Sequence, residues 1–287
     1  MKRAEPPRRT TASMISSDDV LDEGAGPVVL CLHGFPENRS VFNTVAELLV
    51  AQGFRVIRFN QRGYTDATAD WRRCAYTVRR LGSEAIRIMD DLGIRSWTVV
   101  GHDLGGLVAW EVGRVEPERT KSLVIVSVPH PAAFLLSLVD PKQLVRAWYF
   151  LLAQSTKAAV WLYSPTKPAS RKRLAKGLAR RGLAEDESGR YLDHLAIGKR
   201  FIGAIRWYQA MPFSPPSSTF FRVKVDSHIL WGQDDALTGH FSISLSRLFV
   251  ERDRLQITEI PGGTHWLVDQ RPADVAKAAM ASHREAP

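Results

Sequence analysis

The octapeptide VVGHDLGG at residues 99–106 constrains the fold of this chain more than any other stretch. Val99 and Val100 favour an extended strand, and the glycines at 101, 105 and 106 let a turn and the start of a helix close without side-chain clashes. A strand that turns this sharply into a helix belongs to an α/β arrangement, in which strands of a mostly parallel sheet alternate with helices. The side chain held at the tip is Asp103, two residues after Gly101 and two before Gly105. Taken alone, the stretch reads equally well as an ordinary Gly/Asp turn at a strand end.

The same alternation runs through the chain. Short aliphatic runs at 28–32, 55–59, 97–100, 123–128, 227–231 and 255–260 predict strands, and residues 39–52, 81–92, 105–115, 241–249 and 272–282 predict helices. Between Pro131 and Arg222 the alternation stops, leaving helical patterns and no convincing strand. We therefore expect a core over residues 16–130 and 223–287, a helical cap over 131–222, and a disordered basic tail over 1–15. Ligands of such sheets bind beyond the carboxyl ends of the strands, so a cap placed there encloses the site.

Composition narrows the function. Lys and Arg outnumber Asp and Glu by 39 to 30, with the densest clusters in residues 1–12 and 171–181. The second cluster reads as a solvated helix face with Leu174 and Leu178 turned inward, and without interleaved aromatics it predicts no nucleic-acid partner. Two cysteines, Cys31 and Cys74, fit a reducing cytoplasm, and neither has metal-ligand spacing. No apolar leader follows the basic start. Residues 144–163 are interrupted by Arg146, Gln154 and Lys157, which suits a buried or amphipathic helix better than a membrane span. A homodimer is compatible with the sequence.

Three further segments fall at strand ends. HGFP (33–36) follows the strand VVLCL, so the backbone N–H of Phe35 can join that of Leu104 in an oxyanion hole. ILWGQDDAL carries Asp234 and Asp235, and PGGTHWL carries His265. The order nucleophile, acid, histidine is that of an α/β-hydrolase, with Asp103 at the nucleophile elbow.

Together, HGFPEN, GHDLGG, LWGQDDAL and GGTHW resemble the epoxide hydrolase branch of the α/β-hydrolase fold, and the resemblance covers most of the chain from Pro27 onward. It implies Asp103 as nucleophile, Asp235 as orienting acid with Asp234 as the alternative, and His265 as general base. It also implies two cap tyrosines that hold the epoxide oxygen, matched by Tyr149 in RAWYFLLAQ and Tyr208 in IRWYQAM. Both tyrosines also lie in aromatic stripes of the kind usually found in cores. His33, His102 and His130 are expected to be structural or pocket-lining, and Trp148, Trp161 and Trp207 to shape the pocket.

An aspartate suits this chemistry because a carboxylate is already ionised at neutral pH and can attack a saturated carbon directly, forming an alkyl ester. The expected substrate is a small hydrophobic epoxide, with no metal or organic cofactor. Two departures from the family pattern matter. Leu104 stands where many relatives carry a halide-binding tryptophan, which argues against haloalkane or haloacid dehalogenation. Only a short segment precedes Pro27, so one or both opening strands of the fold are expected to be short or missing. The remaining alternative is a non-catalytic ligand-binding protein on the same fold.

Overall fold

The computed structural model describes residue 15 and residues 19–284; the tail expected over 1–15 lies, Ile15 aside, outside the described residues. Among the described residues, β1 (Val20–Glu23), β2 (Val28–Leu32), β3 (Arg55–Phe59), β4 (Trp97–His102), β5 (Thr120–Val126), β6 (Ser227–Gly232) and β7 (Leu255–Ile260) form one sheet. Its order is β1-β3-β2-β4-β5-β6-β7. Every neighbouring pair is parallel except β1 and β3.

The central strands are aliphatic because both sheet faces are covered. Val29, Leu30, Leu32, Val99, Val100 and Leu123–Val126 of β2, β4 and β5 are fully buried, each such side chain contributing about 1.5–3 kcal/mol through removal from water. Thr98 and Ser122, neighbouring polar residues of β4 and β5, satisfy each other by a 3.0 Å hydroxyl hydrogen bond. β1 was not among the predicted strands. Its four residues VLDE carry too little apolar pattern to announce it, and the strand is held on the edge through Asp22–Arg55 and Glu23–Arg58 ion pairs.

The helices before the insertion are α1 (Asn43–Ala51), α2 (Val78–Asp91) and α3 (Leu104–Val115). α1 and α2 end alike. After α1 the amides of Gly53 and Phe54 bond to the carbonyls of Val50 and Leu49, and after α2 those of Gly93 and Ile94 bond to Asp90 and Met89. Gly53 and Gly93, at φ +81° and +68°, supply the left-handed residue that this helix ending requires, and each returns the chain toward the next strand.

Between β5 and β6 the described residues form no strand beyond an isolated bridge from Val223 to Val250; the helices there are α4 (Pro131–Ser137), α5 (Pro141–Arg146), α6 (Trp148–Ala153), α7 (Thr156–Tyr163), α8 (Pro168–Ala179), α9 (Glu185–Leu195) and α10 (Arg200–Ala210). The run expected as one helix over 144–163 is divided among α5, α6 and α7. The fold closes with α11 (His240–Leu245), α12 (Leu267–Gln270) and α13 (Pro272–Arg284). α2 packs on α3, which lies against β2, β4 and β5; α1 packs on α13, which crosses β4, β5 and β6. α10 meets the core backbone to backbone: a Cβ on Gly203 would lie 2.3 Å from the carbonyl oxygen of Gly63.

Candidate active site

At the end of β4 the chain turns into α3 through Asp103, whose φ of 48° and ψ of −122° are unfavourable for a residue with a side chain. Such strain costs on the order of 1–3 kcal/mol and persists only where the surroundings enforce it. Here they do. The Asp103 N–H donates to Val126 O at 3.2 Å, its carbonyl accepts from Gly106 N at 2.9 Å, and a Cβ on Gly105 would lie 2.1 Å from Leu32 O. Leu104, Val108 and Val112, four apart, bury one stripe of α3 against the sheet and keep the helix in register behind the turn.

The Asp103 carboxylate is buried and has two distinct oxygens. Oδ2 accepts the backbone N–H of Phe35 at 3.0 Å, and Oδ1 lies 3.5 Å from His265 Nε2. His265 donates from Nδ1 to Asp235 Oδ2 at 2.9 Å, while Asp235 Oδ1 accepts the amides of Leu237 and Thr238 at 2.7 and 2.9 Å. Asp234, the alternative acid, has no bond to this histidine; its own amide donates to Gly263 O. Leu104 is the first residue of α3, and first-turn amides have no helical carbonyl to bind.

These contacts set the charges. Burial pushes the Asp103 carboxyl up, but the adjacent His265, then the His102 charge and the Phe35 amide, outweigh it and hold it below the ordinary carboxylate value. Burial pushes His265 down, yet the carboxylates of Asp235 and Asp103 more than reverse this and raise it to about 10. The resting pair is therefore an Asp103 carboxylate facing a His265 imidazolium.

In front of Asp103 lies a cavity of about 120 Å³. Its wall is almost wholly apolar, including Phe35, Leu152, Phe201 and Ile205, and both Tyr149 and Tyr208 line it. The two tyrosine rings stand edge to face with centroids 5.9 Å apart. Burial, and next the Asp103 charge, hold both phenols well above their ordinary pKa, so they remain protonated donors. Trp148 lines the cavity, whereas Trp161 is exposed and Trp207 is buried with its indole donating to Arg62 O at 2.8 Å. Arg181, expected on a solvated face, instead reaches the cavity wall, because α8 ends at Ala179 and the chain turns inward at Gly182.

Of the other groups near the site, Glu37, Tyr191 and Asp269 were not singled out by sequence. His102 Nδ1 bonds to Glu37 Oε2 at 2.8 Å and its Nε2 to the His265 carbonyl oxygen at 2.8 Å. Glu37 also accepts the Gly34 amide, and although burial opposes charge on His102, Glu37 raises its pKa. Tyr191 of α9 donates to Asp269 of α12 at 2.7 Å, tying the inserted helices to the segment after His265. His33 is neutral, pushed down to about 4 by burial, and accepts from Gln61 N at 3.1 Å; His130 caps α4 by accepting from Ala132 N.

The sheet, the elbow and the acid–histidine pair define an α/β hydrolase, and a model of the alpha/beta hydrolase fold matches residues 27–272. The chain belongs to that family. Among its relatives, epoxide hydrolase 4 of Mus musculus is 26% identical over 257 residues, covering 87% of this chain and 71% of that protein. The AB hydrolase superfamily protein YfhM of Bacillus subtilis is 25% identical, covering 87% of each. Among solved structures, the epoxide hydrolase of Bacillus megaterium in complex with an inhibitor superposes with a TM-score of 0.79 at 19% identity, over 93% of this chain and 96% of that one. That last likeness speaks for the fold.

Proposed function

We propose that the protein is an epoxide hydrolase, converting a small hydrophobic epoxide and water to a vicinal diol through an ester on Asp103. The observation that carries this reading is the shared cavity: one ionised carboxylate and two protonated tyrosines face the same apolar space. In this reading residues 131–222 are the cap. The free thiols Cys31 and Cys74 support a cytoplasmic setting.

In the first step Asp103 Oδ1 attacks an epoxide carbon, the C–O bond breaks, and Tyr149 and Tyr208 donate to the departing oxygen. General acid assistance of this kind is worth roughly 10²- to 10⁴-fold. Esterification removes the Asp103 charge, one of the two carboxylates that keep His265 protonated. The imidazolium then releases its proton, matching the proton that the alkoxide requires, and becomes the base for the second step.

Neutral His265, oriented by Asp235, takes a proton from water, and the hydroxide attacks the ester carbonyl carbon. The oxyanion develops on Oδ2, which already accepts the Phe35 amide, and the Leu104 amide is the second proposed donor; such donors are worth roughly 10²-fold or more each. Collapse expels the diol and restores the carboxylate. Leu104 has no side-chain donor for a halide, which supports an epoxide over a haloalkane.

The test is product analysis with aryl and alkyl epoxides beside haloalkanes. Diol formation is expected, and halide release without diol, or binding without turnover, would overturn the reading. Single turnover in heavy-oxygen water should place label in the peptide containing Asp103.

A further inference from the structure

Beyond the chemistry of the cavity, α4–α8 present an apolar surface in a strongly basic setting. Val139 and Leu151 are each 79% exposed, Val145 70% and Trp161 67%, with Leu144 and Trp148 about half exposed beside them. Leu144 and Val145 of α5 and Trp148 and Leu151 of α6 are all exposed on either side of the break at Ala147. Gln143, Ala147 and Ala153 of the same stretch are buried. Soluble monomers rarely expose contiguous apolar side chains of this size without a partner.

Charge selects the partner. Residues 131–181 hold ten Lys and Arg against one acid, Asp140, so this segment carries a net charge equal to the +9 of the whole chain. Lys142, Lys157, Lys167, Lys172 and Lys176 are exposed on it. Among the described residues no helix is long and apolar enough to cross a bilayer. Exposed aliphatic and tryptophan side chains on short helices, in a segment that also exposes five lysines, match a surface that rests in the headgroup region of an anionic membrane.

We propose that the α4–α8 face docks on an anionic lipid surface. Val139, Val145, Leu151 and Trp161 enter the interface and the surrounding lysines meet the headgroup phosphates. A second copy of this chain is disfavoured as the occupant, because pairing two copies of so basic a face would bring like charges together. Trp148 belongs both to this face and to the cavity wall, so the docked face adjoins the cavity.

The experiment is co-sedimentation of the full chain with vesicles of phosphatidylcholine alone and of phosphatidylcholine with phosphatidylserine. Binding is expected only to the serine-containing vesicles, weakening as salt is raised, and falling roughly tenfold or more in the double variant Val145→Glu/Leu151→Glu. Both positions are exposed, so the variant should keep the wild-type melting profile; Val139→Glu provides an independent second lesion. Binding that persists in these variants would assign it to the basic amino terminus and overturn the proposal. So would absence of binding, or a wild-type dimer in sedimentation equilibrium that the double variant converts to monomer.

Discussion

His102 Nε2 donates to the carbonyl oxygen of His265 across 2.8 Å, joining the residue before the elbow aspartate to the backbone of the histidine it faces. Glu37 anchors the other side of the His102 ring, so β4 and the loop after β7 are tied by a fully buried bridge. His265 is thus held by its main chain from one side and by its ring, through Asp235, from the other.

Because the loop is held by its backbone, His265→Gln should remove the base and leave the nucleophile in place. Intact-mass measurement should then show one epoxide equivalent accumulating on the protein with almost no turnover. A variant that accumulates no adduct would show that the histidine is needed before ester formation.

Asp103→Asn removes the carboxylate of the proposed nucleophile, and diol formation should fall by roughly 10⁴-fold or more, as for loss of other covalent nucleophiles. Retained diol formation would assign the reaction to direct attack by water.

Tyr149→Phe and Tyr208→Phe should each slow the ester-forming step by roughly 10²-fold, with smaller effects on ester hydrolysis. Single-turnover rates of adduct formation and decay separate the two steps. Equal slowing of both would identify the tyrosines as wall residues alone.

The protonation states predict a pH dependence of stability. His265 sits at about 10, above its ordinary 6.5, so its contribution is complete below pH 6.5 and lost as pH rises through about 10. The depressed Asp103 contributes above its ordinary 3.8 and loses that contribution as pH falls through its lowered value. Melting temperatures should therefore hold through neutrality and decline toward pH 10. Asp103→Asn should move the alkaline decline to lower pH; an unmoved decline would sever the link between the two groups.

Gly105→Ala places a methyl group against Leu32 O and should destabilise the fold by about 3 kcal/mol. Urea denaturation checks this, and a wild-type midpoint would show that the turn relaxes easily.

What could be read from sequence follows from the range of each interaction. The parallel strands were legible because each holds a short aliphatic stretch, most clearly VVLCL and LVIV, and Asp103, Asp235 and His265 because each lies in the turn or loop just beyond a strand. β1 was not, since its pairing with β3 and its ion pairs to Arg55 and Arg58 are made with residues more than thirty positions away. Glu37 and Asp269 escaped for the same reason: their partners His102 and Tyr191 lie 65 and 78 positions off, and neither pair leaves a local spacing. Arg181 was misread because the turn after α8, and nothing in its basic neighbourhood, directs it inward.

The backbone contact between Gly203 and Gly63 has an evolutionary consequence. Tyr208 lies on the same helix as Gly203, little more than one turn away, so any side chain added at that contact would shift the phenol from its place opposite Asp103. α5–α8 are under no such restraint at that point. In the proposed reaction, substrate preference can therefore change by lengthening, trimming or exchanging α7 and α8 while α10 and the Tyr149-bearing α6 stay in place, so that selectivity and reactivity diverge along separate parts of one insertion.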